Sequence, residues 1–308
     1  MHRVSDRALD AAGITDPEVR AAYQRCRRLA TSGGGTYHLS TRLLPVARRP
    51  YVWAVSGFAR RAAGFVDSLG TPDPGPAQAW AAKTLDALGG APSDDPLAPA
   101  MLHTMRRWQI PRVHVEAFLE STRTHLSATG YPSYADLERY LYGSAAVIGL
   151  QLLPILGPLS PEAAPRARAL AEACRLSALI GDIGRDLERG RVYLPQEDLD
   201  TFGVTREALA RGSVTPLIRE LLAFEIERTR ALYAFAEPGI DMVHPTSRDC
   251  VRTAFVLYGE ILDAVERAGY QVLTRRVSVP LPRRLPVALP GIRRARAARR
   301  NERRWVPA

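Results

Sequence analysis

Apolar residues recur at three- and four-residue steps along almost the whole chain, and that period leaves little room for anything but helices. From Tyr134 to Leu153 the spacing runs Leu137, Tyr140, Leu141, Ala145, Ile148, Leu152. The stretches Ala167 to Leu187, Thr215 to Ala236 and Ser247 to Ala268 repeat it. No segment alternates for long enough to predict a sheet. Breakers fall between the runs: Gly33 to Gly35, Thr71 to Pro76, Gly89 to Pro99, Thr129 to Pro132, Pro154 to Pro165 and Pro238 to Pro245. The pattern predicts an all-α bundle of roughly eight to ten helices, one domain over residues 1–280. The prolines and arginines after Pro280 predict an irregular, flexible basic tail over 281–308. There is no internal repeat.

Of the 308 residues, 46% are hydrophobic, ample for a buried core. Three cysteines, Cys26, Cys174 and Cys250, have no metal-ligand spacing, and their odd number argues against a disulfide framework. A reducing cytoplasm is the expected location. Met1 to Asp10 lacks the continuous apolar core of a secretory signal. No stretch reaches 18 uncharged apolar residues, so no transmembrane helix is expected. The net charge of +10 is concentrated: Gln271 to Ala308 holds eleven arginines and one acid, Glu302, which leaves the first 270 residues neutral. Such a tail is either simply solvated or drawn to an anionic membrane surface, at about 1 kcal/mol per basic residue. A nucleic-acid partner is not expected, because the body has neither a basic face nor a stacking-aromatic motif.

The chemistry concentrates in Leu179 to Gln196, LIGDIGRDLERGRVYLPQ. Asp182 and Asp186, four apart, lie on one face of a helix. Their repulsion costs a few tenths of a kcal/mol unless a cation sits between them. Their apolar neighbours, Leu176, Leu179 and Ile183, place the pair toward a bundle interior, where two carboxylates with open positions for substrate phosphate suit Mg²⁺. The competing reading pairs Asp182 and Asp186 with Arg185 and Arg189 on a wet face.

The string DLERGRVYLPQEDL, Asp186 to Leu199, resembles the hallmark of the phytoene/squalene synthase family. So do Tyr37 to Pro45 (YHLSTRLLP), Trp53 to Asp67, Tyr140 to Leu150, Leu232 to Ile240, Leu257 to Asp263 and Tyr270 to Pro280. The matches are collinear over roughly residues 20 to 285. The resemblance implies an isoprenoid synthase fold around an apolar cavity. It also implies two aspartate-rich motifs that hold Mg²⁺ and ionise prenyl diphosphates. By position, Asp182 and Asp186 are then the second metal motif. Arg42, Arg60, Arg175 and Arg275 fall where diphosphate would be held, and Tyr37, Tyr140, Gly149 and Tyr258 where the cavity would be lined.

The chain departs from the family in one neighbourhood. The first motif should read D-D-x-x-D, but Ala63, Gly64 and Asp67 leave one carboxylate of three. Arg175 and Ala178 stand for the usual glutamine and asparagine, Gly181 for an arginine, and His125 for an aspartate. Gly34 and Thr36 stand for a serine pair. A site stripped on one side predicts a Mg²⁺-dependent prenyltransferase that ionises one diphosphate and serves a non-isoprenoid, aromatic acceptor, as in bacterial secondary metabolism. His125 and Asp67 are then candidates for the base or for orienting the acceptor. The alternatives are a head-to-head squalene- or phytoene-type synthase (or a terpene cyclase) and a non-catalytic prenyl-binding relative.

Overall fold

A computed structural model describes residues 2–32, 39–66, 74–126, 128–280 and 290–300. The helices are α1 (His2–Ala11), α2 (Pro17–Ser32), α3 (Arg49–Val66), α4 (Pro74–Leu88), α5 (Ala98–Trp108), α6 (Arg112–His125) and α7 (Tyr134–Leu141). They continue as α8 (Val147–Leu156), α9 (Ala163–Leu187), α10 (Gln196–Thr201), α11 (Arg206–Ala210), α12 (Pro216–Ala236) and α13 (Pro245–Arg267). A last helix, α14, covers 290–300. Among the described residues the only extended pairing is one bridge, Pro158 to Val243.

Local chemistry sets the helix starts. Ser133 Oγ accepts from the Asp136 N–H while the Asp136 carboxylate accepts from the Ser133 N–H, a reciprocal cap on α7. Thr215 Oγ1 accepts from Ile218 N–H, and Pro216 occupies the first turn of α12. The apolar faces then meet in two clusters. One gathers Tyr23, Trp53, Phe58, Trp80 and Phe118 from the N-terminal helices. The other gathers Leu199, Ile218, Leu222, Leu262 and Val272 around α9, α12 and α13. Burying each such side chain contributes about 1.5–3 kcal/mol.

A π-helical turn, Tyr142–Ala146, joins α7 to α8 without a break. The resulting run, Tyr134–Leu156, is long and apolar enough to cross a membrane by length and composition. Half of that apolar window is buried in the bundle. Ser144, Ala145, Ile148, Gly149, Leu152 and Leu153 of the same run face an internal cavity. The apolar excess is that of a cavity wall.

Two glycines of α9 decide where the chain passes after α13. A Cβ on Gly184 would lie 2.3 Å from the Leu273 carbonyl oxygen, and one on Gly181 would lie 2.7 Å from that of Val277. Glycine inside a helix costs about 1 kcal/mol relative to alanine. Here it lets an irregular segment lie directly on the helix. Gly184 N–H donates to Val272 O at 2.9 Å, and Val277 N–H donates to Gly181 O at 3.0 Å.

The expected irregular tail is corrected over 290–300, which is helical and packed. Ala295 is buried, Arg294 Nε donates to Asp249 Oδ1 at 2.7 Å, and Arg299 donates to the Leu43 carbonyl. Arginine is a good helix former, and its aliphatic stem covers apolar surface while its head pairs.

Candidate active site

A cavity of about 710 Å³ opens between α3, α6, the α7–α8 run, α9, α13 and the segment 276–279. Helix α9 faces it with Ala171, Cys174, Arg175, Ala178, Asp182, Arg185 and Asp186, the three- and four-residue steps of one helix face, and Arg189 follows in the turn after it. Asp182 and Asp186 therefore both face the cavity, and Arg185 and Arg189, the partners in the competing reading, face it with them.

The closest cation to Asp182 is Arg276, whose Nε lies 2.8 Å from Oδ1. That oxygen is buried and makes no hydrogen bond, so the pairing is one of charge. Burial pushes the Asp182 carboxyl up, and the guanidiniums of Arg276, Arg185, Arg175 and Arg189 pull it down; burial prevails. Asp186 is buried, with Arg189 Nη1 at 3.7 Å. Its backbone carbonyl caps the helix end, accepting from Arg191 N–H at 2.8 Å. Among the described residues no group of three or more His, Cys, Asp or Glu could hold a metal. The two carboxylates nevertheless fit Mg²⁺. The ion takes one or two carboxylates and completes its shell with water and substrate phosphate, and Asp182 Oδ1, paired with Arg276 by charge but without a hydrogen bond, would exchange that partner for the ion.

Deeper in the cavity, Arg175 Nη2 donates to the Tyr140 hydroxyl at 2.6 Å. Its guanidinium carbon lies 5.8 Å and 5.9 Å from the Tyr140 and Tyr193 ring centres. His125 stacks on Tyr140 at 4.4 Å, and its two ring nitrogens hold the hydroxyls of Tyr131 (3.0 Å) and Tyr193 (2.6 Å). Burial, with Arg175 and Arg191 nearby, lowers the His125 pKa to about 3. That environment weighs against His125 as the base, one of the two roles for which it is a candidate, and leaves the orienting role open. Both nitrogens are engaged and protonation is strongly disfavoured, so the ring orients tyrosines.

Arg60, Arg175, Tyr140, Gly149 and Tyr258 line the cavity as expected. Two other arginines do not. Arg42 is exposed and outside the lining, and its carbonyl accepts from Arg49 Nη2. Arg275 is also exposed and outside; its neighbour Arg276 turns inward instead. Tyr37 and Asp67 lie outside the described residues. Sequence reasoning missed Arg166, Arg191 and Arg276. The glycines at 181 and 184 were the available signal for Arg276, since they mark the face on which its segment lies. Among the described residues the lining holds seven arginines and two aspartates, a cationic chamber with apolar walls.

The Squalene/phytoene synthase family profile matches residues 30–283. The chain is 32% identical over 279 residues to phytoene synthase from Arthrospira platensis, covering 84% of this chain and 88% of that one. It is 33% identical over 287 residues to 15-cis-phytoene synthase from Synechocystis, covering 88% and 85%. Among solved structures, squalene synthase HpnC from Alicyclobacillus acidocaldarius superposes with a TM-score of 0.76 at 26% identity, over 84% of this chain and 98% of that one. A dehydrosqualene synthase shares the fold, with a TM-score of 0.81 at 22% identity over 94% and 99%. With its helices, its cavity and most of its length accounted for, the chain belongs to the squalene/phytoene synthase family of prenyltransferase-type enzymes, which bind prenyl diphosphates and work with a divalent metal.

Proposed function

We propose that this chain is a Mg²⁺-dependent prenyltransferase that ionises one prenyl diphosphate and passes the prenyl group to an aromatic, non-isoprenoid acceptor. The observation that supports this reading is the one-sided placement of carboxylates among the described residues. Asp182 and Asp186 sit on α9, while α3 lines the cavity with Ser56, Ala59, Arg60 and Ala63. Bound Mg²⁺, held by Asp182 and Asp186, would supply charge stabilisation to the departing diphosphate. The arginines at the cavity mouth, Arg185, Arg189 and Arg276, bind phosphate oxygens through their guanidinium forks. The prenyl C1–O bond breaks with its electron pair leaving on the diphosphate. Apolar side chains such as Leu152 and Ile148 keep water from the cation. A ring π pair then forms the new C–C bond, and the ring proton leaves to the released diphosphate.

The second reading is a head-to-head synthase joining two prenyl diphosphates. The matched relatives are named phytoene synthases, and that finding supports the second reading more directly than the first. One experiment separates them. The protein is incubated with Mg²⁺ and geranyl or dimethylallyl diphosphate, with and without a panel of aromatic acceptors. Acceptor-dependent diphosphate release is the expected result. A hydrocarbon formed from farnesyl or geranylgeranyl diphosphate alone would establish the head-to-head reading instead.

A further inference from the structure

Of the arginines that α9 turns toward the cavity, Arg166 stands farthest from the aspartates. It precedes Asp182 by sixteen residues, about 24 Å along the helix axis. Between the two, α9 lines the cavity mostly with small and apolar side chains, among them Ala167, Leu170, Ala171 and Ala178. Each isoprene unit of an extended prenyl chain adds four chain bonds, about 5 Å. With its diphosphate at Asp182 and Asp186, a chain of about four to five units reaches Arg166.

At that end the other described residues of the lining are Leu153, Leu156, Ala163, Ala236, Gly239 and Val243, all apolar or glycine. Leu153, Ala163 and Val243 pack on one another. The Arg166 stem lies against the turn Glu237–Ile240, where a Cβ added to Gly239 would collide with the Arg166 Cβ. The head points the other way. Its guanidinium carbon lies 3.9 Å from the Phe235 ring centre, and Nη1 donates to the Phe235 carbonyl. Phe235 is 47% exposed, so the head reaches the surface while the stem stays in the cavity wall. We propose that Arg166 is a specificity-determining residue, its stem the end stop that limits the prenyl donor to about four or five isoprene units. A longer chain either folds back on itself or pushes the stem aside, and pushing it aside breaks the carbonyl bond and the ring contact together. The inference rests on the part of the proposed function that seats a prenyl diphosphate at Asp182 and Asp186, and it is indifferent to the acceptor.

A chain-length series tests it by binding alone. The full-length chain with Mg²⁺ is titrated calorimetrically with the thiolodiphosphates of farnesyl, geranylgeranyl, geranylfarnesyl and hexaprenyl chains, which resist ionisation. Affinity should hold or rise as far as the geranylgeranyl or geranylfarnesyl analogue and fall about tenfold at hexaprenyl. Arg166→Ala should abolish that fall and leave the farnesyl affinity within about twofold, because the short chain does not reach the stop. Phe235→Ala, which releases the head and keeps the stem, should remove part of the fall. Hexaprenyl bound by the wild-type chain as tightly as geranylgeranyl overturns the proposal, whatever the variants do. So does an Arg166→Ala chain that keeps the fall with its farnesyl affinity intact. Should Arg166→Ala not fold, an undiminished fall in Phe235→Ala overturns it. Absence of Mg²⁺-dependent binding at every length would overturn the seating of the diphosphate itself and the inference with it, a result distinct from binding without a length limit.

Discussion

Two walls of the cavity come from long helices with opposite chemistry. Helix α9 contributes Arg175, Asp182, Arg185 and Asp186; α3 contributes Ser56, Ala59, Arg60 and Ala63. Both turn a regular helical face inward, so the backbone does not account for the difference. Carboxylates on one wall alone can gather metal around one diphosphate, while guanidiniums take up the remaining phosphate charge. Under the proposed function, such a difference would narrow a fold to one diphosphate substrate by changing side chains and leaving the helices in place.

The largest effect should come from the charged wall. Asp182→Asn and Asp186→Asn should each lower Mg²⁺-dependent diphosphate release by about a thousandfold, the several kcal/mol that a metal clamp supplies. Ser56→Ala, on the other wall, should change it less than tenfold. Steady-state release of diphosphate from geranyl diphosphate measures both. Comparable losses on the two walls would erase the contrast.

His125 senses the cationic chamber through its protonation. Burial and the guanidiniums of Arg175 and Arg191 hold its folded-state pKa at about 3, against about 6.5 in an unfolded chain. The group is neutral in both states above 6.5, so it imposes no penalty there. As pH falls from 6.5 toward 3 the unfolded chain takes up the proton first, and stability declines by up to about 1.4 kcal/mol per pH unit. His125→Gln should flatten that slope in thermal melts at pH 4 to 7. An unchanged slope would show that the chamber exerts no such field on the ring.

The helices were legible because burial on one face imposes a period that survives any side-chain detail. Thr215 to Ala236 was predicted and Pro216–Ala236 is found; Ser247 to Ala268 was predicted and Pro245–Arg267 is found. The aspartate pair was legible for the same reason, being fixed to a regular helix. Arg276 was not. Which of two adjacent arginines turns inward depends on the path of an irregular segment, and that path is set by contacts with Gly181 and Gly184 far away in sequence. The environment of His125 was not legible because its partners, Tyr131 and Tyr193, meet it only in the folded chain.

Restoring the lost side tests the contrast by construction. A Cβ on Gly64 meets nothing within 4 Å, and Ala63 already lines the cavity, so Ala63→Asp with Gly64→Asp can be accommodated. The double variant should bind Mg²⁺ about fivefold more tightly by calorimetry in the presence of inorganic diphosphate, since added oxygen ligands replace water on the ion. Unchanged affinity would mean that the first wall stands too far from the phosphate to matter.

The basic tail is the counter-example to the basic cavity: its charge is partly spent inside the molecule. Arg294 meets Asp249, a buried carboxylate on α13, and Ala295 seats the helix 290–300 on the body. Removing the arginine leaves the buried carboxylate without its charged partner. Half of the Arg294 side chain is exposed, so solvent screens the pair. Arg294→Ala should therefore cost about 1 kcal/mol and lower the melting temperature by roughly 2–4 °C. Asp249→Asn should lose less, because an amide keeps a hydrogen-bond acceptor for the arginine and removes the buried charge. If Arg294→Ala left the melting temperature unchanged but weakened binding to vesicles of anionic lipid, the tail's charge would be directed outward, and the likeness between tail and cavity would be restored.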